Sequence, residues 1–262
     1  MSRSRRCLSA ALRIVYGLYA TVLFCVLAMA ALVATLLLPG VQRRRAAARA
    51  SARIFLRLAG MPLVVRAVQN LPPGQCVLVA NHASYLDGIV FTAALPPRFG
   101  FVIKREMTRV PLAGLLLRGL GSEFVERFNR NRSAADARRV LRTAVSGRSL
   151  VFFPEGTFTR TPGLLRFHSG AFLTAARAGC PVVPAVVYGT RLALPPSGGL
   201  PRPGRIVVEI LPALTASAVS TAAAAELRDA ARAAILHSLG EPDLAATAQE
   251  EPVTPAYMFR RY

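Results

Sequence analysis

From Ile14 to Leu38 the chain runs for 25 residues without one charged side chain. At about 1.5 Å per residue, a helix of that length spans roughly 37 Å, more than the roughly 30 Å hydrocarbon core of a bilayer. This run limits the fold more than any other feature, because such a helix has to meet lipid or be covered by protein over much of its surface. Arg3, Arg5, Arg6 and Arg13 precede it, whereas Arg43, Arg44, Arg45, Arg49, Arg53 and Arg57 follow it. The larger second cluster places the body of the chain on the cytoplasmic side of the inner membrane by the positive-inside rule. Two other arrangements stay open. Ala28 and Ala30 resemble the cleavage site of a signal peptide, although the apolar run of such a peptide is about 7 to 15 residues. Pro39-Gly40 is a bend signal, and Ile54, Leu56 and Leu58 alternate with arginines through residues 46–60, which fits a helical hairpin with its second arm on the membrane surface. Hydropathy accommodates the hairpin and the single span equally.

The chain has 262 residues, of which 53% are hydrophobic and 18% charged, so a disordered polar protein is excluded and one catalytic core plus a small addition is expected. Cysteines at 7, 25, 76 and 180 have no close ligand spacing, so neither a metal site nor a disulfide framework is expected. The net charge is +20, and the first 140 residues, with 21 basic and 5 acidic side chains, carry 21 − 5 = +16 of it. Such a field attracts anionic lipid, phosphorylated substrates or nucleic acid. Lys104 is the only lysine, so the charge is partly an arginine bias, and only its placement beside apolar segments is informative. No nucleic-acid-binding motif accompanies it, so no nucleic-acid partner is expected.

Beyond residue 61, short apolar runs alternate with helical patterns. Strands are expected at Leu63–Val68, Val77–Ala80, Phe101–Ile103, Glu123–Glu126, Leu150–Phe153, Val182–Val187 and Ile206–Leu211. Helices are expected from Ser84, over Leu112–Leu120, over Ser133–Val145 with Ser133 and Asp136 as a capping box, over Ser169–Ala178 before Gly179, and over Thr221–Leu239 before Gly240. The alternation predicts an α/β domain, its mixed or largely parallel sheet flanked by helices, with the N-terminal membrane-embedded helix or hairpin attached. The division is residues 1–60 as membrane anchor and basic amphipathic segment, 61–240 as catalytic domain, and 241–262 as a loose tail.

At the end of the Val77–Ala80 strand stands Asn81-His82-Ala83-Ser84-Tyr85-Leu86-Asp87. The carboxyl end of a strand is where α/β sheets place ligands. An imidazole there can take a proton near neutral pH, and a carboxylate on its other nitrogen would orient it and stabilise the imidazolium. Five residues along one helix are about 140° apart, so His82 and Asp87 can meet only if His82 precedes the helix and Asp87 lies in its first turn. Ser84-x-x-Asp87 is equally a plain capping box. After Leu150–Phe153 comes Pro154-Glu155-Gly156-Thr157-Phe158-Thr159-Arg160, a polar turn with a carboxylate, a glycine, a hydroxyl and a guanidinium.

Together the two turns resemble the lysophospholipid acyltransferases, the 1-acylglycerol-3-phosphate O-acyltransferase family. His82 to Asp87 is similar to its HxxxxD block and Phe153 to Thr157 to its FPEGT block. Gly121 to Arg127 resembles its GxxFxxR block, and Val182-Val183-Pro184 its late apolar-proline block. The resemblance covers roughly residues 60 to 215. It implies acyl transfer from a thioester, acyl-CoA or acyl carrier protein, to the free hydroxyl of lysophosphatidic acid, without a cofactor or metal. His82 would be the base and Asp87 its orienting group. Amides near Ser84 would receive the oxyanion, and Arg127, Glu155, Gly156 and Thr157 would hold the acceptor's phosphate, with Arg160, Lys104 and His168 as further contacts. One departure stands out: many family members carry lysine where this chain has His168 in Phe167-His168-Ser169-Gly170. Another lysolipid acceptor, such as a lyso-ornithine lipid, therefore stays open, as does a role for His168 as the residue before a helix cap. A hydrolase is disfavoured because no GxSxG elbow occurs. A non-catalytic protein binding anionic membranes, with Ser84 and Asp87 only as caps, is the alternative outside enzymology.

Overall fold

The structure is a computed structural model and describes residues 3–126 and 130–245. Its centre is a seven-stranded sheet of β1 (Leu63–Arg66), β2 (Val77–Ala80), β3 (Phe99–Lys104), β4 (Glu123–Val125), β5 (Ser149–Phe152), β6 (Val182–Tyr188) and β7 (Ile206–Ile210). Their spatial order is β1-β7-β6-β2-β5-β3-β4, and every pairing is parallel except β6 with β7. This is the mixed, mostly parallel sheet that the alternating pattern predicts.

Burial on both faces explains why β2 is wholly apolar. Successive side chains point to opposite faces. Leu78 and Ala80 pack with Phe55, Leu56, Val90 and Phe91 from helices α2 (Val41–Leu58) and α3 (Asp87–Ala94). Val77 and Val79 pack on the other face with Phe172, Leu227 and Ile235 from α6 (Gly170–Ala178) and α8 (Thr221–Leu239). Each fully buried side chain of this size contributes roughly 1.5–3 kcal/mol. Because β2 and β5 are parallel neighbours, with Val79 opposite Phe152, the turns that follow them emerge side by side at one edge of the sheet. That adjacency builds the site.

The apolar run lies within α1 (Arg3–Leu37), which turns through residues 38–40 and packs along α2 as a helical hairpin. The Tyr16 hydroxyl donates to the carbonyl of Ala59 at 2.5 Å and that of Tyr19 to Leu58 at 3.1 Å. Gly17 lies against Leu200, and Thr35 against Gly119 in α4 (Ala113–Gly119), so closely that a Cβ at either glycine would sit 2.3 or 2.2 Å from its neighbour. These contacts are 18 residues apart, about 27 Å along the helix, so α1 lies flat along the body rather than projecting from it. Its outer face leaves Val15, Leu18, Val22, Val26, Val33, Leu36 and Leu37 exposed. The second arm starts earlier than residue 46 and is not confined to the surface: Arg45, Ala48, Ala52, Phe55 and Leu56 form one buried stripe at helical spacing, with Arg43 and Arg57 facing outward and Arg53 donating to the Ala93 carbonyl of α3 at 2.9 Å.

One expected cap differs. The helix assigned to Ser133 begins as α5 at Arg130 (Arg130–Val145), and Asp136 instead accepts from the Glu126 amide at 2.9 Å and from Arg139 at 2.8 Å. The one-turn α7 (Thr190–Ala193) has no periodic signal in the sequence. By contrast α8 has the expected bounds, with Ser220 Oγ accepting from the Ala223 amide at 3.0 Å and Gly240 in the left-handed conformation at φ 67°. The first residues assigned to a loose tail, 241–245, are held: the Leu164 amide donates to Pro242 and the Leu244 amide to Leu164.

Candidate active site

Asn81 extends β2 with its side chain. Its amide donates to the Val187 carbonyl at 3.1 Å and accepts from the Val187 amide at 2.8 Å, as a further strand residue would. This buried clamp sets the direction of the next residue, His82, a role the sequence does not disclose. His82 Nδ1 lies 2.7 Å from Asp87 Oδ2. The same oxygen accepts from the amides of Ala83 at 2.7 Å and Ser84 at 2.9 Å. The capping and orienting readings of Asp87 are therefore both realised, by one oxygen. Ser84 does not cap α3, which starts at Asp87; its hydroxyl donates to the Leu194 carbonyl at 2.7 Å and accepts from the Leu86 amide. Since the Ala83 and Ser84 amides are occupied by Asp87, they are not oxyanion donors, contrary to the expectation for this helix start.

The imidazole is clamped by rings. Phe153 stacks on it at 4.5 Å between centroids and Phe158 meets it edge-on at 4.6 Å. With Nδ1 bound to Asp87, Nε2 remains for a reacting group, and the ring is 20% exposed where it lines a cavity. Such a ring can accept a proton on one nitrogen while the carboxylate stabilises the charge on the other.

Glu155 sits elsewhere than the phosphate contact expected of it. It is only 4% exposed, and its carboxylate joins two backbone segments: Oε1 accepts from the His82 amide at 2.6 Å and Oε2 from the Leu165 amide at 2.8 Å. Burial pushes its pKa up to about 8, against the pull of these two donors and of Arg191 and with a further push from Asp87. A buried carboxylate with both oxygens engaged braces the His82 backbone and has no lone face for an anion.

His82 stands on the wall of a cavity of about 470 Å³ bounded by α1, α2, α3, β3 and α4, with Leu27, Phe55, Ile89, Phe101 and Leu116 among its apolar lining. Gly156, Thr157 and Phe158 line it beside the histidine. The Thr157 amide and hydroxyl have no hydrogen-bond partner among the described residues, so this residue offers two unengaged donors beside the histidine. Lys104 also lines the cavity, with its ammonium 3.9 Å from Glu106. Arg45 closes off part of the lining with its guanidinium bonded to the carbonyls of Leu120, Arg98 and Gly121. Arg160 and His168 are exposed and outside the cavity wall, His168 lying two residues before α6. Arg127 lies outside the described residues. Among the described residues no cluster of His, Cys, Asp or Glu has metal-binding geometry. Of the expected site residues, the structure thus brings His82, Gly156, Thr157 and Lys104 to one cavity, places Asp87 and Glu155 buried behind His82, and keeps Arg160 and His168 off it. Asn81, Phe153 and Phe158 are added to them.

Residues 63–188, the span holding both turns, match the Acyltransferase family model. Within that class the chain is similar to proteins named 1-acyl-sn-glycerol-3-phosphate acyltransferase. It is 34% identical over 186 residues to one from Chlamydomonas reinhardtii, covering 70% of this chain and 54% of that protein. It is 29% identical over 143 residues to one from Borreliella burgdorferi, covering 54% and 57% of the two chains. The chain thus spans about half the length of these curated relatives. The crystal structure of the 1-acyl-sn-glycerophosphate (LPA) acyltransferase PlsC from Thermotoga maritima has the same fold, with a TM-score of 0.70 at 21% identity over 91% of this chain and 99% of that one.

Proposed function

We propose that this chain is a membrane-associated O-acyltransferase that transfers an acyl group from acyl-CoA or acyl carrier protein to the free hydroxyl of lysophosphatidic acid, giving phosphatidic acid. The observation that carries the reading is the 2.7 Å His82–Asp87 contact on the wall of an apolar cavity. His82 Nε2 takes the proton of the acceptor hydroxyl as its oxygen attacks the thioester carbon. The new C–O bond makes a tetrahedral oxyanion, for which the Thr157 amide and hydroxyl are the available donors. On collapse the C–S bond breaks, and the thiolate leaves with the proton from the imidazolium. No acyl-enzyme or cofactor takes part. The cavity holds an acyl chain, which its lining suits. Arg127 holds the acceptor's phosphate in this proposal, with Lys104 and Arg160 adding positive charge.

Residues 1–60 are the membrane-associating part and 61–240 the catalytic part. In this proposal the exposed apolar face of α1 enters lipid and the α2 arginines meet anionic headgroups, with the domain at the inner membrane on its cytoplasmic side. The test is identification of the product formed from labelled acyl-CoA or acyl carrier protein and a panel of lysolipids in detergent. Phosphatidic acid as the dominant product supports the proposal. Conversion of a different lysolipid alone would overturn the acceptor and give the exchange of lysine for His168 a functional meaning.

A further inference from the structure

Just past the Gly240 cap of α8, residues 241–245 run beside the loop that links β5 to α6. Leu164 pairs with Asp243, its amide donating to Pro242 at 2.9 Å and its carbonyl accepting from Leu244 at 3.0 Å. Glu241 Oε2 accepts from the Gly163 amide at 2.6 Å and lies 3.4 Å from Arg191, which itself donates to the carbonyls of Thr159 and Thr161 at 2.7 and 3.0 Å. Arg232 donates to the carbonyls of Leu164 and Leu165 at 2.9 and 3.0 Å and pairs with Asp243. The side of Gly163 is closed by the same segment: a Cβ there would stand 2.4 Å from Leu244, at a φ of 145° that already favours glycine. The gripped loop then leads to the base in two bonds, from the Leu165 amide to Glu155 and from Glu155 to the His82 amide.

We infer that residues 241–245 are a strap that positions His82, acting through Leu165 and Glu155, with Glu241 as its main positioning residue. The inference rests on the proposed role of His82 as base. A buried carboxylate bridging two amides holds the His82 backbone only as firmly as its far donor is held, and the strap supplies that hold. Small displacements of a catalytic group are costly in rate, up to about 100-fold for about 1 Å. No residue of the strap lines the cavity, so loosening it should lower kcat and leave substrate binding alone.

The experiment measures kcat and KM for both substrates in full-length wild type, Glu241→Ala, Leu244→Ala and Glu241→Gln, with thermal melting of each. A loss of about tenfold in kcat with KM within about twofold is expected for Glu241→Ala and Leu244→Ala. Glu241→Gln, which keeps an oxygen for the Gly163 amide, should recover most of the rate. Added to Glu155→Gln, the Glu241→Ala change should cost nothing further, because the link is already broken. Unchanged kcat in both strap variants, or the same fractional loss with and without Glu155→Gln, overturns the strap. His82→Ala separates the two failures: full transfer without His82 overturns the base and the strap together, whereas transfer abolished by His82→Ala beside wild-type rates in the strap variants overturns the strap alone.

Discussion

The turn after β2 and the turn after β5 each carry one buried carboxylate, and the two do different work. Asp87 gathers a ring nitrogen and two amides from within five residues onto one oxygen. Glu155 divides its oxygens between amides that are 83 residues apart in sequence, His82 and Leu165. The first arrangement keeps a negative charge against the imidazole, where it stabilises the protonated ring. The second joins segments that no local structure would hold together. Motif membership alone does not separate a chemical carboxylate from a structural one; the destinations of their hydrogen bonds do.

Substitutions at the two positions should therefore fail differently. Asp87→Asn keeps an oxygen for the ring and the amides but removes the charge, and acyl transfer should drop by about 10²- to 10³-fold in a steady-state assay with little change in KM. Equal rates would mean that the charge has no part in the chemistry. Glu155→Gln has to aim an amide N–H₂ at one of two backbone donors. It should cost about 1–3 kcal/mol in denaturant unfolding and about tenfold in kcat through loosening of His82.

Protonation bears on Glu155 directly. The Glu155 carboxyl titrates at about 8 in the folded chain against an ordinary 4.5, so between those values the folded state binds more protons than the unfolded one. The stability linked to this group is complete below pH 4.5, falls as pH rises toward 8, and is flat above. Melting temperatures from pH 5 to 9 should accordingly decline with pH more steeply in wild type than in Glu155→Gln; parallel curves would contradict the assignment. The smallest effect is a control far from both turns. Ser220→Ala removes the α8 cap and should cost about 1 kcal/mol with no change in kcat, which marks how little rate responds to stability alone.

Local signals made much of this readable in advance. The end of α8 follows from Gly240, and β2 from four apolar residues ending before Asn81. The neighbouring positions of the two motif turns follow from parallel pairing. What escaped depends on partners distant in sequence. Arg45 sits in the apolar stripe of α2 because three carbonyls from the β3 and α4 regions meet its guanidinium. Asp136 reads as a cap yet serves the end of β4, since α5 begins a turn earlier. Glu155 reads as a polar turn residue because its burial is created by the Leu165 loop and the strand-end histidine, neither of which is near it in sequence. The flat seating of α1 likewise depends on small residues, Gly17 and Gly119, whose meaning appears only with Leu200 and Thr35 against them.

The central claim is that the imidazole of His82 accepts the hydroxyl proton of the acceptor. Its most direct measurement is the rate of acyl transfer to lysophosphatidic acid by purified His82→Ala protein that still melts cooperatively and still binds vesicles. The account predicts a loss of at least about 100-fold, the low end of what general base catalysis supplies. Transfer at the wild-type rate from that protein would contradict it.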